Sequence, residues 1–502
     1  MKNYILLLIW TVFIQNVYAQ GRNANWVFGD SAGMHFDGLN TPAVYKTNCK
    51  SKGESSTISD TAGNLLFYEF GISNLPDPCD AVYDNDFELM TNGDSIFGDT
   101  WYNTDIIVPL PDNDSLYYLF STVISNSNRG LYSAIISKPN FLSPGVVLTK
   151  NIKHTSRQLS DCIQAVKHGN GRDWWIIVRT GAVVPSDSFF VWLLEPTGLS
   201  GPIGSKAGLS SFDGFHHIAF NKDGTKFTQV SASGIIEEFN FDRCTGNITS
   251  NRIMHYPVTM NYPLFWGVAY SPNGRFVYMS QYKITEDTGY IYQLDMSLPS
   301  PWPNRDTIWY CHPYQSIFLR LGPDKKIYVS HPDNQYAFPW YPYPDSLFTN
   351  EITYLGVINS PDSPATSCNF TPYSFYLGPN TRCYLGTSNL PDYNMGPLTG
   401  SICDTLGLSI ASNVLVQAEL NAYYHQSWHA IIINANKLKG NRASIRIVNS
   451  EGKEVYLSIN EKIMQGYLQK NVTLPNIASG IYIVTVTSGG QQLSQKVVVE
   501  KW

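Results

Sequence analysis

The sequence predicts an all-β chain, a β-propeller expected to have seven blades followed by a small C-terminal immunoglobulin-like β-sandwich. Three observations predict it. The 502 residues include 38 Gly, 32 Tyr, 29 Pro and 24 Phe but only 15% charged residues, against roughly 25% in ordinary soluble domains. That is the profile of many short strands joined by turns. A strand, turn, strand pattern recurs between residues 57 and 329 at intervals of about 50 residues, the length of one repeat unit in such architectures. Beyond Gly407 the style changes to closely spaced strand patterns without that repeat.

Composition also excludes some functions. With 43% hydrophobic and 14% aromatic residues the chain is too apolar to be disordered. Its balance of 34 Lys and Arg against 40 Asp and Glu lacks the basic excess of a nucleic-acid binder.

Residues 1–19 read as a secretory signal. Lys2 is the positive start, Tyr4 to Ile14 is almost unbroken apolar chain, and Ala19 is the small residue before the cleavage point. The apolar run is shorter than the roughly 20 residues of a membrane span, and no later stretch reaches that length, so the mature chain is expected to have no integral span. Export permits disulfides among the eight cysteines. Connectivity cannot be deduced from sequence, although Cys368, Cys383 and Cys403 share a loop-rich region where a local bridge is plausible.

The clearest repeats are Ile218–Phe227, Val268–Tyr278 and Leu319–Val329; weaker copies are Thr57–Tyr68, Ile106–Tyr118 and Ala165–Ile176. In each, alternating apolar residues make a half-buried strand, and Asp-Gly or Asn-Gly supplies the positive φ of a tight turn. Asp324-Lys325 lacks the glycine, so its turn is expected to be of another type. Further alternating strands follow at Gly130–Ile136, Ile235–Asp242 and Gly289–Asp295, giving four strands per repeat, which is a propeller blade. A seventh blade would close by pairing Asn25–Gly29 with Asn369–Phe375, which removes exposed sheet edges. Asn25–Phe36, Ile58–Tyr68, Ala165–His168 and Ser367–Phe370 resemble signature segments of a secreted propeller family of Bacteroidetes-type bacteria. The resemblance implies the fold and carries no agreed activity.

Between Gly378 and Gly407, Pro, Gly, Asn and Ser cluster, which reads as a boundary. The domains expected are the signal at 1–19, the propeller at 20–390, a linker at 391–412 and a sandwich at 413–502. The sandwich strands are expected at 430–433, 443–449, 453–457, 469–474, 480–486 and 494–499, with a hairpin turn at Asn449–Lys453. This region resembles the C-terminal sorting domain of the type IX secretion system, through Ile445–Val455 with Gly452, Leu474, Gly480 and Tyr482, and the Lys496–Val499 end. It departs from that pattern in lacking a Pro-Asn-Pro start near 418–424 and in ending at Trp502. The resemblance implies passage across the outer membrane, with the type IX machinery as partner and the cell surface or medium as destination.

Signals for chemistry are weak. His154, His168, His216, His217, His255, His312 and His331 read as structural or surface residues, and adjacent His216 and His217 should face opposite sides of their strand. The same alternation separates Glu237 from Glu238. No GxSxG elbow, HExxH zinc signature or phosphate loop is present. Asp112-Asn113-Asp114 opens like a calcium loop but lacks the later ligands and reads as a solvated turn. No metal or cofactor is expected. Aromatic residues are more suggestive. Trp101-Tyr102 and the proline-interleaved 336–344, with Trp340, Tyr341 and Tyr343, offer flat faces for a sugar or peptide, whereas Trp174-Trp175 reads as core. The function expected is that of a secreted or cell-surface binding protein for a glycan or a protein. A polysaccharide lyase or hydrolase with its site in the propeller funnel is the alternative, and whether any catalysis occurs stays open.

Overall fold

A computed structural model describes residues 21–499, apart from 52, 54, 73–78, 100–102, 125–127, 182–184, 212–213, 258–263, 313–316, 332–349, 405–417, 426–428 and 465. The signal segment 1–19 lies outside the described residues, as do Trp101, Tyr102, Trp340, Tyr341 and Tyr343. The chain divides into two compact units, residues 1–404 and 405–502.

In the first unit the described residues form seven antiparallel sheets. Blade 1 has three strands, Asn25–Phe28, Asp30–His35 and Ala43–Lys50. The other six have four strands in sequential order. Their first strands are Ser56–Ser59, Asp105–Pro109, Gln164–Lys167, His216–Phe220, Leu264–Tyr270 and Phe318–Leu321, in blades 2 to 7. Alternation buries side chains on both sheet faces, so the core lies between blades. Trp175, Ile177, Phe189 and Val191 of blade 4 meet Ile218, Phe227 and Phe239 of blade 5, and each ring or branched chain so buried stabilises by about 2 kcal/mol. The ring closes where Trp26 and Phe36 of blade 1 each pack edge-on to Tyr328 of blade 7, at 5.7 Å.

All six repeats fall on the first two strands of blades 2 to 7. Their turns differ from expectation at one place. Gly224 and Gly274 have φ of 70° and 78° and donate their amides to Asn221 and Ser271. Lys325 adopts φ 66° and donates to Gly322 in the same way. Asp324-Lys325 therefore makes the same turn without glycine, its geometry fixed by Asp324, which accepts from the Tyr328 hydroxyl at 2.8 Å.

Closure is also achieved differently. Asn25–Phe28 pairs with Asp30–His35, and Phe370–Tyr376 is the last strand of blade 7, paired with Tyr354–Ile358, so the expected pairing of Asn25–Gly29 with Asn369–Phe375 does not form. Instead Asp30 and Arg382 exchange backbone hydrogen bonds of 2.8 and 2.9 Å. Gly29 makes this approach possible, since its φ is +58° and a Cβ there would lie 2.0 Å from the Arg382 carbonyl oxygen. Beyond it Ser388 serves the free edge of blade 1: its Oγ accepts from Val27 N at 3.1 Å and donates to Val27 O at 2.8 Å.

From Arg382 the chain runs down the central channel. Asn389 donates its amide to Ser55 O and its Nδ2 to Asp105 O and Ile163 O at 2.9 and 3.2 Å. Tyr393 Oη donates to Ile107 O at 2.7 Å, and Leu398 N to Gly169 O at the far end. Residues 391–404, expected to belong to a linker, are thus part of the propeller, where Pro391, Tyr393 and Met395 are buried. A disulfide joins Cys403 to Cys244 across 159 residues. The local bridge expected among Cys368, Cys383 and Cys403 does not form; Cys368 and Cys383 are buried free thiols.

The second unit pairs a sheet of Glu419–His425, Ala430–Asn436 and Leu468–Thr473 with one of Glu454–Lys462, Arg442–Asn449, Gly480–Ser488 and Gln491–Val499. Ile431, Ile433 and Val472 of the first meet Ile445, Ile447, Val484 and Val486 of the second in one core. This is the small sandwich that the strand patterns predict.

Candidate functional site

Beside the channel segment lies a cavity of about 290 Å³. Its walls come from the first strands of blades 1, 4, 5, 6 and 7 and from residues 390–395. Asn221, Lys222, Pro272 and Pro323, which belong to the turns ending those strands, mark its mouth, together with Asp392.

Arg320 lies deeper in this space. Its Nη2 donates to Asn103 Oδ1 at 3.0 Å and to Asn389 Oδ1 at 3.2 Å. Burial lowers the guanidinium to about 10, with no carboxylate among the causes to oppose it. His217 lines the same cavity and is held neutral, its pKa lowered to about 3 by burial and then by Arg320. Its Nδ1 is 3.3 Å from both Trp266 O and Val268 N.

His216 and His217 face opposite sides of their strand: His216 is held neutral by burial and then by Arg179 of blade 4, whereas His217 contacts blade 6. Glu237 and Glu238 part in the same way, toward Arg179 at 3.7 Å and Arg252 at 2.9 Å. His168 contacts the Cys244 carbonyl and accepts from Asn170 N. His154 contacts Ser133 Oγ at 2.8 Å, and His255 and His312 contact the carbonyls of Gly234 and Asp287. His331 is caged by Trp309 and Tyr373, at 4.9 and 4.5 Å between ring centroids. Of these contacts, the one between Ser133 and His154 alone sets a hydroxyl beside an imidazole. Asp112 and Asp114 pair with Arg172 and Arg22 as residues of a surface turn, and Trp174 and Trp175 are core, 0% and 2% exposed.

Glu69, Asp80 and Asp105 bring carboxylate oxygens within 4.8 Å of one another, all three residues buried. Such oxygens are the donors that hard divalent cations take, so among the described residues this is the group that could hold a metal. Sequence reasoning missed it because the three stand on separate strands of blades 2 and 3. Arg320 was missed as well, though a signal for it exists: it occupies the strand position filled by Ala219 and Ala269 in the two clearest repeats.

In the second unit Gly452, with φ +79°, donates to Asn449 O in the expected hairpin turn. Tyr482 is buried in the sandwich core with its hydroxyl on Ala478 O at 2.9 Å, while Lys496 is exposed on the last strand. Residues 428–500 match the secretion system C-terminal sorting domain. The chain carries a type IX sorting tail. A tail of this kind implies interaction with the secretion machinery and export to the cell surface or extracellular space. No helix among the described residues is long and apolar enough to cross a membrane.

Solved structures similar to the chain include the Cps50 (Swd1) β-propeller domain of Myceliophteria thermophila, 10% identical, TM-score 0.35, covering 62% of this chain and 93% of that one. The Dos1 propeller is 11% identical, TM-score 0.39, with 73% and 86% covered. A protein from Lactobacillus plantarum is 13% identical, TM-score 0.34, with 63% and 97% covered. No curated protein matches the chain.

Proposed function

We propose that the exported propeller is a binding protein acting at the cell surface or in the medium, with a glycan or a protein as ligand. The observation that carries this reading is the filling of the channel by residues 382–398 of the chain itself. A lyase or hydrolase working in the funnel needs an open approach for a polymer, and beside the channel segment the described residues leave a cavity of about 290 Å³. Blades that bury their hydrophobic surfaces between them form a rigid platform, and loops on such a platform are where binding residues gather. The aromatic loop residues Trp340, Tyr341 and Tyr343, with Trp101 and Tyr102, are proposed as contacts on that platform. Glycan and peptide arrays probed with the mature chain test this. Trp340→Ala with Tyr341→Ala is expected to abolish the signal at unchanged melting temperature; an unchanged signal removes that loop from the site. Release of oligosaccharides from a polymer by the wild-type protein would favour catalysis instead.

A further inference from the structure

Enclosing a guanidinium is costly unless its charge is answered, and other enclosed guanidiniums of the propeller stand beside a carboxylate or a set of backbone carbonyls. Arg179 has Glu237 at 3.7 Å and the carbonyls of Ser186 and Leu209. Arg243 donates to four backbone carbonyls, those of Lys167, Asp223, His168 and Gly396. Arg252 has Glu238 and the carbonyls of Met296 and Leu298.

Arg320 departs from this pattern. Among the described residues its hydrogen bonds run from Nη2 to two neutral amide oxygens, and it forms no ion pair with any of them. Nε and Nη1 have no protein acceptor among the described residues, and neither is one of the fully buried polar atoms that lack partners, so both keep some exposure. Arg320 lines the cavity of about 290 Å³ and, with Asn103, a neighbouring recess of about 10 Å³; the larger space is roughly ten times the volume share of one water. It has apolar wall residues such as Leu321, Leu390 and Met395. A fixed positive charge with free donors, in a cavity larger than an inorganic ion and partly apolar, matches one chemical class.

We propose that the channel cavity binds a small organic carboxylate, its oxyanion held by Arg320 Nε and Nη1 and its carbon body lying toward Leu390 and Met395. The site deepens the binding reading above and rests on it. A sugar acid or a short dicarboxylate has the required charge and size. Gln164 and Asn394, which also line the cavity, can serve hydroxyl groups on such a body. Arg320 is then a binding residue whose charge is compensated by ligand rather than by protein.

The test is thermal unfolding of the mature chain with sodium glucuronate, succinate, inorganic phosphate or glucose at matched ionic strength, for wild type and Arg320→Gln. A ligand bound only by the folded state raises the melting temperature. Glucuronate or succinate is expected to raise it in wild type, glucose is not, and Arg320→Gln is expected to lose the rise. Without ligand, Arg320→Gln is expected to melt no lower than wild type, because it removes a buried charge that no carboxylate balances. A variant that melts lower and keeps the full response would assign Arg320 to holding Asn389 and overturn the proposal. So would a response to phosphate equal to that to the organic anions. A wild type that binds array glycans but answers to no carboxylate leaves the binding reading standing and removes this site.

Discussion

Removing the Cys244–Cys403 disulfide is the perturbation whose size can be worked most directly from the structure. The bond closes a loop of 159 residues, and the chain-entropy relation then gives about 5 kcal/mol of stabilisation at 25 °C. A propeller spanning residues 20–404 has an unfolding entropy near 0.8 kcal/mol/K by the usual value per residue, so the loss corresponds to a fall of about 6 °C in melting temperature. The loss should begin locally. Between Tyr393 and Cys403 the channel segment is held by Arg243 on Gly396 O at 2.7 Å and by Leu398 N on Gly169 O at 2.8 Å. With the clip cut, this stretch opens before the blades do, because few contacts oppose it. The assay compares the oxidised mature protein with Cys244→Ser/Cys403→Ser by thermal unfolding and by limited proteolysis mapped by mass. The double variant is expected to melt about 6 °C lower and to be cut first between 396 and 404. A melting temperature changed by less than about 1 °C, with an unchanged cleavage map, would refute the reasoning that the bond anchors the channel segment.

Other predictions follow from single contacts. Asn389→Ala strips donors from the buried carbonyls of Asp105 and Ile163 and should cost about 3 kcal/mol, read as a lower urea midpoint; no change would mean that the axis is held elsewhere. Lys325→Gly relieves a left-handed lysine at φ 66° and should raise stability by about 1 kcal/mol in the same assay. Burial lowers the imidazoles of His217 and His331 to about 3, while unfolded ones titrate near 6.5, so below that pH the unfolded state takes up protons that the folded state refuses. Their stabilisation is complete above about pH 6.5 and is lost progressively as pH falls toward 3. Lowering the pH from 6.5 to 5 should therefore cost about 3 kcal/mol for the pair. His331→Phe should remove about half of that slope, and an unchanged slope would contradict the assignment.

What the sequence made legible is the local part of the fold. Hairpins such as Ile218–Phe227 and Val268–Tyr278 announce themselves because a strand alternation and a glycine turn lie within a dozen residues. The sorting strands do so for the same reason, Asn449–Lys453 above all. The channel segment escaped because Pro391, Gly396 and Pro397 have the composition of a linker, and what fixes residues 382–398 is side-chain bonding by Ser388, Asn389 and Tyr393 to carbonyls far away in sequence. Such bonds leave no periodicity. The Cys244 pairing is equally silent, since 159 residues intervene. For the site, Arg320 was passed over, although it is a cation where Ala219 and Ala269 stand in sister repeats, and Glu69 and Asp80, on paired strands of blade 2, meet Asp105 only through the packing of blade 2 against blade 3.

Export can be tested in a single fractionation. A chain lacking residues 413–502 is expected to fold, keep its disulfide and accumulate in the periplasm, while the full chain reaches the cell surface or the medium. Surface or medium levels of the truncated chain equal to those of the full chain would contradict the role given to the tail.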